Sequence, residues 1–151
     1  DPPPLFYLRD AADQAYGAVS VRIDAHLSSA RMRLQGLPAH RLSRSDSATL
    51  YWTAGQMIAH HTSNGCALDT GDLLGSGTIS GPTKDSRGSL LELSWGGKEP
   101  VAIKGGSRSF IEDGDRITLR GHAAGDGYRI GFGECEGTVI AAHADPVGAG
   151  R

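Results

Sequence analysis

Glycine constrains this chain more than any other residue. It supplies 22 of the 151 residues, about twice its usual share of roughly 7%. Glycine loses the most conformational freedom on folding and weakens helix interiors, so a folded chain uses it at turns, bulges and close backbone approaches. The expectation is an α+β fold dominated by short strands and tight turns. Hydrophobic residues make up 38% and charged residues 21%, a balance that supports a packed core rather than a disordered segment. The length suits one domain. No apolar run approaches the roughly 18 residues a spanning helix needs, so no membrane association is expected. Fifteen Lys and Arg oppose seventeen Asp and Glu, a net charge of −2 without a long block of either sign. Nucleic acid is therefore not an expected partner. The two cysteines, Cys66 and Cys135, are too few for a zinc signature or a disulfide framework and read as buried thiols in a reducing compartment.

Hydrophobic periodicity places the elements. Val19, Val21, Ile23, Ala25 and Leu27 alternate with Ser20, Arg22, Asp24 and His26, the period of a half-buried strand. Ala30, Met32 and Leu34 alternate with Arg31, Arg33 and Gln35, predicting a second strand and a hairpin with one wet face. The period then changes. Leu50, Ala54, Met57, Ile58 and His61 form a helical stripe, with Ser47 as N-cap and Asn64-Gly65 as stop, giving one main helix over about residues 48–63. Strands are expected at Leu90–Trp95, Arg116–Arg120, Tyr128–Phe132 and Thr138–Ala141. Asp113-Gly114 marks a tight turn. Asp1-Pro2-Pro3-Pro4 reads as an extended connector, and a start without Met as a cut through a longer chain or as processing. With no basic and apolar opening stretch in the sequence, a secretory signal is not expected, and residues 143–151 read as a loose tail.

Several segments could carry chemistry. Residues 71–82, Gly-Asp-Leu-Leu-Gly-Ser-Gly-Thr-Ile-Ser-Gly-Pro, form a loop whose amides and hydroxyls can approach a ligand closely. Taken alone it is most simply a structural turn. As a binding loop it suits a carboxylate or enolate oxygen, and it lacks the Lys of a nucleotide-phosphate loop. Glu92, between Leu91 and Leu93, is either an exposed strand carboxylate or a partnered one able to orient a histidine. His60 and His61 project about 100° apart on a helix and read as capping or packing groups rather than joint metal ligands. Residues 125–133, rich in glycine, lack the spacing of a dinucleotide fingerprint. They read as a strand with glycines where another backbone packs close. No Gly-x-Ser-x-Gly elbow supports a serine hydrolase.

Taken in order, these blocks resemble a known family. Tyr51-Trp52-Thr53, His60-His61-Thr62-Ser63-Asn64-Gly65-Cys66, the loop 71–82, Gly88-Ser89-Leu90-Leu91-Glu92-Leu93-Ser94-Trp95 and the run 125–133 resemble the C-terminal part of the fumarylacetoacetate hydrolase family. Ile79, followed by Ser80-Gly81-Pro82, is similar to the fumarylacetoacetase branch. Decarboxylases and acylpyruvate hydrolases of the superfamily usually carry Pro at that position. Ala67 stands where Asn is usual.

The resemblance implies a mixed sheet rolled into a barrel-like β-sandwich roll with the main helix. Residues 1–142 would be the C-terminal part of the catalytic domain. It implies hydrolysis of a carbon–carbon bond in 4-fumarylacetoacetate, giving fumarate and acetoacetate in tyrosine and phenylalanine breakdown. A histidine would activate water, and Mg²⁺ or Ca²⁺ would hold the diketone oxygens. Glu92 matches the glutamate that orients the base histidine, and Thr78, with Gly77 beside it, the substrate contact. The base histidine, the metal ligands and most substrate contacts belong to segments preceding this stretch, so none of the chain's own residues is expected to hold metal and the chain alone is expected to be inactive. The implied partners are the diketo-acid substrate, the N-terminal part of the same enzyme and a second subunit in a cytoplasmic homodimer. The competing expectations are a stand-alone, non-catalytic module for interaction or small-acid binding, and an acylpyruvate hydrolase.

Overall fold

The computed structural model describes residues 3–143; the tail assigned to residues 143–151 lies outside them but for its first residue. Among the described residues there are six strands: β1 (Arg22–Ser28), β2 (His40–Asp46), β3 (Val101–Ile103), β4 (Gly106–Arg108), β5 (Arg116–Gly125) and β6 (Tyr128–Thr138). Four α-helices accompany them, α1 (Ala11–Tyr16), α2 (Ala30–Leu34), α3 (Ala54–Thr62) and α4 (Leu90–Leu93), with short 3-10 turns besides. The fold is α+β as expected, but the barrel-like β-sandwich roll is not there. The main sheet is open, in the order β2-β1-β5-β6, and β3-β4 forms a separate ribbon. Closure into a barrel needs the first and last strands of the order to pair, and here β2 and β6 do not pair with each other. The described pairings are antiparallel.

Strand β1 lies between β2 and β5, so both of its edges are paired. Leu27 is fully buried and packs with Met32 and Ile103, flanked by Leu37, Leu42 and Ile117. The face expected to be wet holds buried Asp24, which pairs across the sheet with Arg44 at 2.6 and 2.9 Å. Val19, expected on the covered face, is exposed.

The predicted strand at Ala30–Leu34 is instead α2. Over five residues a period of two cannot be told from one helical turn. Local chemistry decides: Ser29 caps the Met32 amide at 3.1 Å, and Ala, Arg, Met and Leu all favour helix over strand. Arg33 then reaches the carbonyls of Ser28 and Gly114, fastening α2 to the start of β5. The predicted strand Leu90–Trp95 is likewise helix α4, capped by Ser89. It ends in a left-handed turn at Trp95 (φ 51°) and Gly96 (φ 66°), closed by the Gly96 amide on the Leu91 carbonyl at 2.8 Å.

The main helix is α3, shorter than predicted. Its cap is Thr53, which exchanges a reciprocal capping pair with Gln56, and Ser47 begins a separate 3-10 turn. The strand predicted at Tyr128–Phe132 runs on to Thr138 as β6, and of the strand predicted at Thr138–Ala141 only Thr138 is in it. Its glycines do not mark close backbone approach: a Cβ at Gly131, Gly133 or Gly137 would meet nothing within 4 Å. Gly121 on β5 does have a close neighbour, since a Cβ there would sit 3.2 Å from the Phe132 ring. Cys66 and Cys135, expected to be buried, are free and exposed. Among the described residues no helix is long and apolar enough to cross a membrane.

Candidate functional site

The segment between α3 and α4 gathers the predicted site residues. Gly77 sits at φ 77°, left-handed backbone that an L side chain enters only with strain. It lets the loop turn at Thr78, whose side chain is exposed. The chain then folds back on itself. The Gly81 amide donates to the Ser86 carbonyl at 2.8 Å, and the Gly88 amide donates to Ser80 Oγ at 3.0 Å. Gly88 is needed at this crossing, since a Cβ there would come within 2.7 Å of Thr78 Cγ2. Residues 78–80 thus lie directly against the backbone that leads into α4.

At the start of α4, half-buried Glu92 presents its carboxylate to two hydroxyls. Ser80 Oγ lies 3.0 Å from Oε1 and 2.9 Å from Oε2, and Ser89 Oγ lies 2.8 Å from Oε2. The Ser89 hydrogen bond first, and the Ser80 bond second, hold this carboxyl below its usual range against the opposing effect of burial. Arg87 lies nearby and spends a guanidinium N–H on the Glu92 main-chain carbonyl at 3.1 Å. At neutral pH Glu92 is an anion that only accepts hydrogen bonds. A carboxylate has about four lone-pair sites, so the two hydroxyls leave room for a further donor such as an imidazole N–H. A group of this kind orients and polarises a base; its depressed pKa makes it a poor general acid.

The structure therefore joins Glu92 to the loop carrying Gly77 and Thr78, with Ser80 as the link. Sequence reading overlooked both serines. Ser89-Leu90-Leu91-Glu92 has the Ser-x-x-Glu spacing of a capping box, a signal available in the sequence. Ser80 reaches Glu92 across twelve residues and leaves no comparable local signal. No described histidine hydrogen-bonds Glu92. His60 Nδ1 meets the Tyr7 hydroxyl at 2.9 Å with the rings stacked, and His61 Nε2 lies 3.4 Å from Cys66 Sγ. Both are packing or capping contacts, as their helix position suggested. Among the described residues no group of three or more His, Cys, Asp or Glu side chains is placed to hold a metal ion, so these residues do not fit a divalent cation by themselves.

Residues 14–140 match the family model described as fumarylacetoacetate (FAA) hydrolase C-terminal. The fumarylacetoacetase of Dictyostelium discoideum is 44% identical over 145 residues, covering 94% of this chain and 32% of that protein. The Arabidopsis thaliana fumarylacetoacetase is 46% identical over 145 residues, covering 93% and 32%. That of Bos taurus is 47% identical over 144 residues, covering 94% and 32%. The chain spans about a third of the length of these curated relatives. Identity at this level over nearly the whole chain, together with the matching family model, leaves one assignment: the chain belongs to the fumarylacetoacetate hydrolase family.

Proposed function

We propose that this chain is the C-terminal third of a fumarylacetoacetase and supplies the enzyme with its orienting carboxylate and a substrate-contacting loop. The observation that carries the reading is the Glu92 carboxylate, held ionised by Ser80 and Ser89 against the loop of Gly77 and Thr78. In the proposed reaction, water adds to a ketone carbonyl of 4-fumarylacetoacetate while a histidine takes its proton. The carbon–carbon bond then breaks, its electron pair leaving with the acetoacetate carbon as an enolate. Proton return to that carbon gives acetoacetate, and the oxygenated half leaves as fumarate. Glu92 accepts the second N–H of the imidazole, fixes its tautomer and stabilises the imidazolium. Thr78 and the backbone beside Gly77 contact the substrate.

The base histidine comes from the part of the enzyme outside this chain. The site for Mg²⁺ or Ca²⁺, which when bound would polarise the diketone oxygens, is assigned to that part as well. The reading extends to a homodimer in the cytoplasm, a compartment in which the exposed thiols of Cys66 and Cys135 stay reduced.

The test uses the full-length protein with 4-fumarylacetoacetate and, in parallel, a simple acylpyruvate. The expected result is release of acetoacetate, lost with chelator, little turnover of acylpyruvate, and no activity from the 151-residue chain alone. Preferential turnover of acylpyruvate would move the assignment to that branch. A full-length protein inactive on both would overturn the enzymatic reading in favour of a binding module.

A further inference from the structure

We propose that Ser80 and Ser89 are positioning residues for Glu92, and that Ser80 additionally holds the loop of Thr78 in register with that carboxylate. This rests on the reading of Glu92 as the partner of a catalytic base.

The argument is one of hydrogen-bond direction. A serine hydroxyl has one hydrogen to donate and two lone pairs to accept with. The Gly88 amide donates to Ser80 Oγ at 3.0 Å, so the single Ser80 O–H is free to point at Glu92, 2.9 and 3.0 Å away. Ser89 repeats the device: it accepts from the Glu92 amide at 3.2 Å and donates to Oε2 at 2.8 Å. Each hydroxyl relays a backbone N–H to the carboxylate. A hydrogen bond to a charged acceptor is roughly twice as strong as a neutral one, so the two relays bias both the ionisation and the rotamer of Glu92.

The two serines differ in what else they do. Ser89 is the N-cap of α4, so its loss also frays that helix. Ser80 caps nothing. It stands two residues after Thr78, where the strand of chain from Thr78 to Ser80 crosses Gly88 too closely for any side chain at 88. Moving Ser80 would therefore shift the substrate loop relative to the carboxylate, which identifies Ser80 as the cleaner probe.

The experiment measures 4-fumarylacetoacetate hydrolysis by the full-length protein and its Ser80→Ala, Ser80→Cys, Ser80→Thr and Glu92→Gln variants. Ser80→Ala is expected to lower kcat about tenfold or more, with KM changed less than kcat. Ser80→Cys keeps the volume but donates weakly, and so reports the same loss if the alanine variant folds poorly. Ser80→Thr keeps the hydroxyl and should restore most of the rate. In the Glu92→Gln background, Ser80→Ala should lower the residual rate by a clearly smaller factor than it lowers that of wild type, the remainder reporting the loop. Active wild type with unchanged kcat in Ser80→Ala and Ser80→Cys, or with an undiminished Ser80→Ala effect beside Glu92→Gln, overturns the positioning role alone. A wild type with no hydrolysis overturns the reading of Glu92, and the positioning role with it.

Discussion

Two serine hydroxyls on one carboxylate make Glu92 a fixed anion, and a fixed anion is useful only to a donor that arrives beside it. The same economy of local geometry holds at Gly77. Its backbone is left-handed at φ 77° with nothing within 4 Å of where a Cβ would stand, so conformational strain alone opposes a side chain there. Gly77→Ala should destabilise the loop by about 1–2 kcal/mol. In the full-length protein it should raise KM for the diketo acid while global thermal melting changes little. A KM equal to that of wild type would show that the loop conformation does not matter for binding. Glu92 was legible in the sequence as an anomalous carboxylate between leucines. Its actual partners were not, because Ser80 arrives through a chain reversal that no local periodicity records.

At the scale of elements, capping outweighs alternation wherever a segment is short. Both Ala30–Leu34 and Leu90–Trp95 alternate well enough to suggest strands, and in both a serine one residue ahead captures an amide and starts a helix. Ser29→Ala should therefore destabilise the fold by about 1 kcal/mol, read as a lower melting temperature. No change would mean that packing of Met32, not the cap, holds α2. Strands β1, β5 and β6 were read in place but not in extent, since β5 and β6 continue through glycines that the sequence marks as breaks, and β2, whose residues 40–46 are mostly polar, was not read at all. Buried polar groups add a pH dependence. His26 on β1 is held below its ordinary pKa, first by burial and then by Arg120, with Arg41 and Arg44 adding to it and Asp24 opposing; its Nδ1 is buried without a partner. The unfolded chain then binds a proton more readily than the folded one. Stability is thus intact above the ordinary histidine pKa of about 6.5 and falls as the pH drops below it. Melting temperatures should decline over that range, and His26→Val should flatten the decline. An identical slope in the variant would place the pH sensitivity elsewhere.

Asp115 adds a deeper acid limit. Its side chain is fully buried; burial pushes its carboxyl up, but the Arg108 hydrogen bonds, the Glu112 amide and the nearby positive charges outweigh this and leave it below the usual range. Because the folded pKa is the lower one, this contribution is present above about pH 4 and is lost as pH falls through and below that value. Asp115→Asn leaves Arg108 without its buried counter-charge and should destabilise by about 3 kcal/mol or more. A melting temperature close to that of wild type would show the pair to be dispensable.

For the whole molecule the accessible surface is 10725 Å², against about 7,300 Å² for a compact monomer of this mass. The excess is apolar in notable places. The stripe that predicted α3 was legible, but its Ala54, Met57, Ile58 and His61 line an open hollow of about 260 Å³ with Leu74 and Gly75, while the helix buries Gln56 on another face. Ile130 and Phe132 stand exposed on β6, at the edge of the sheet. The sequence contained the faces of a larger core, but the open sheet does not cover them. The isolated chain should therefore self-associate, measurable as concentration-dependent sedimentation. Phe132→Ser should weaken that association, and a monodisperse, cooperatively melting monomer would favour a stand-alone module instead.

The most direct test of the account is the rate of 4-fumarylacetoacetate hydrolysis by the full-length protein carrying Glu92→Gln, a change that keeps size and removes charge. The prediction is a fall in kcat of about 100-fold or more in a protein that still folds and still binds its substrate. A Glu92→Gln enzyme with wild-type kcat would contradict the assignment of this carboxylate to the reaction.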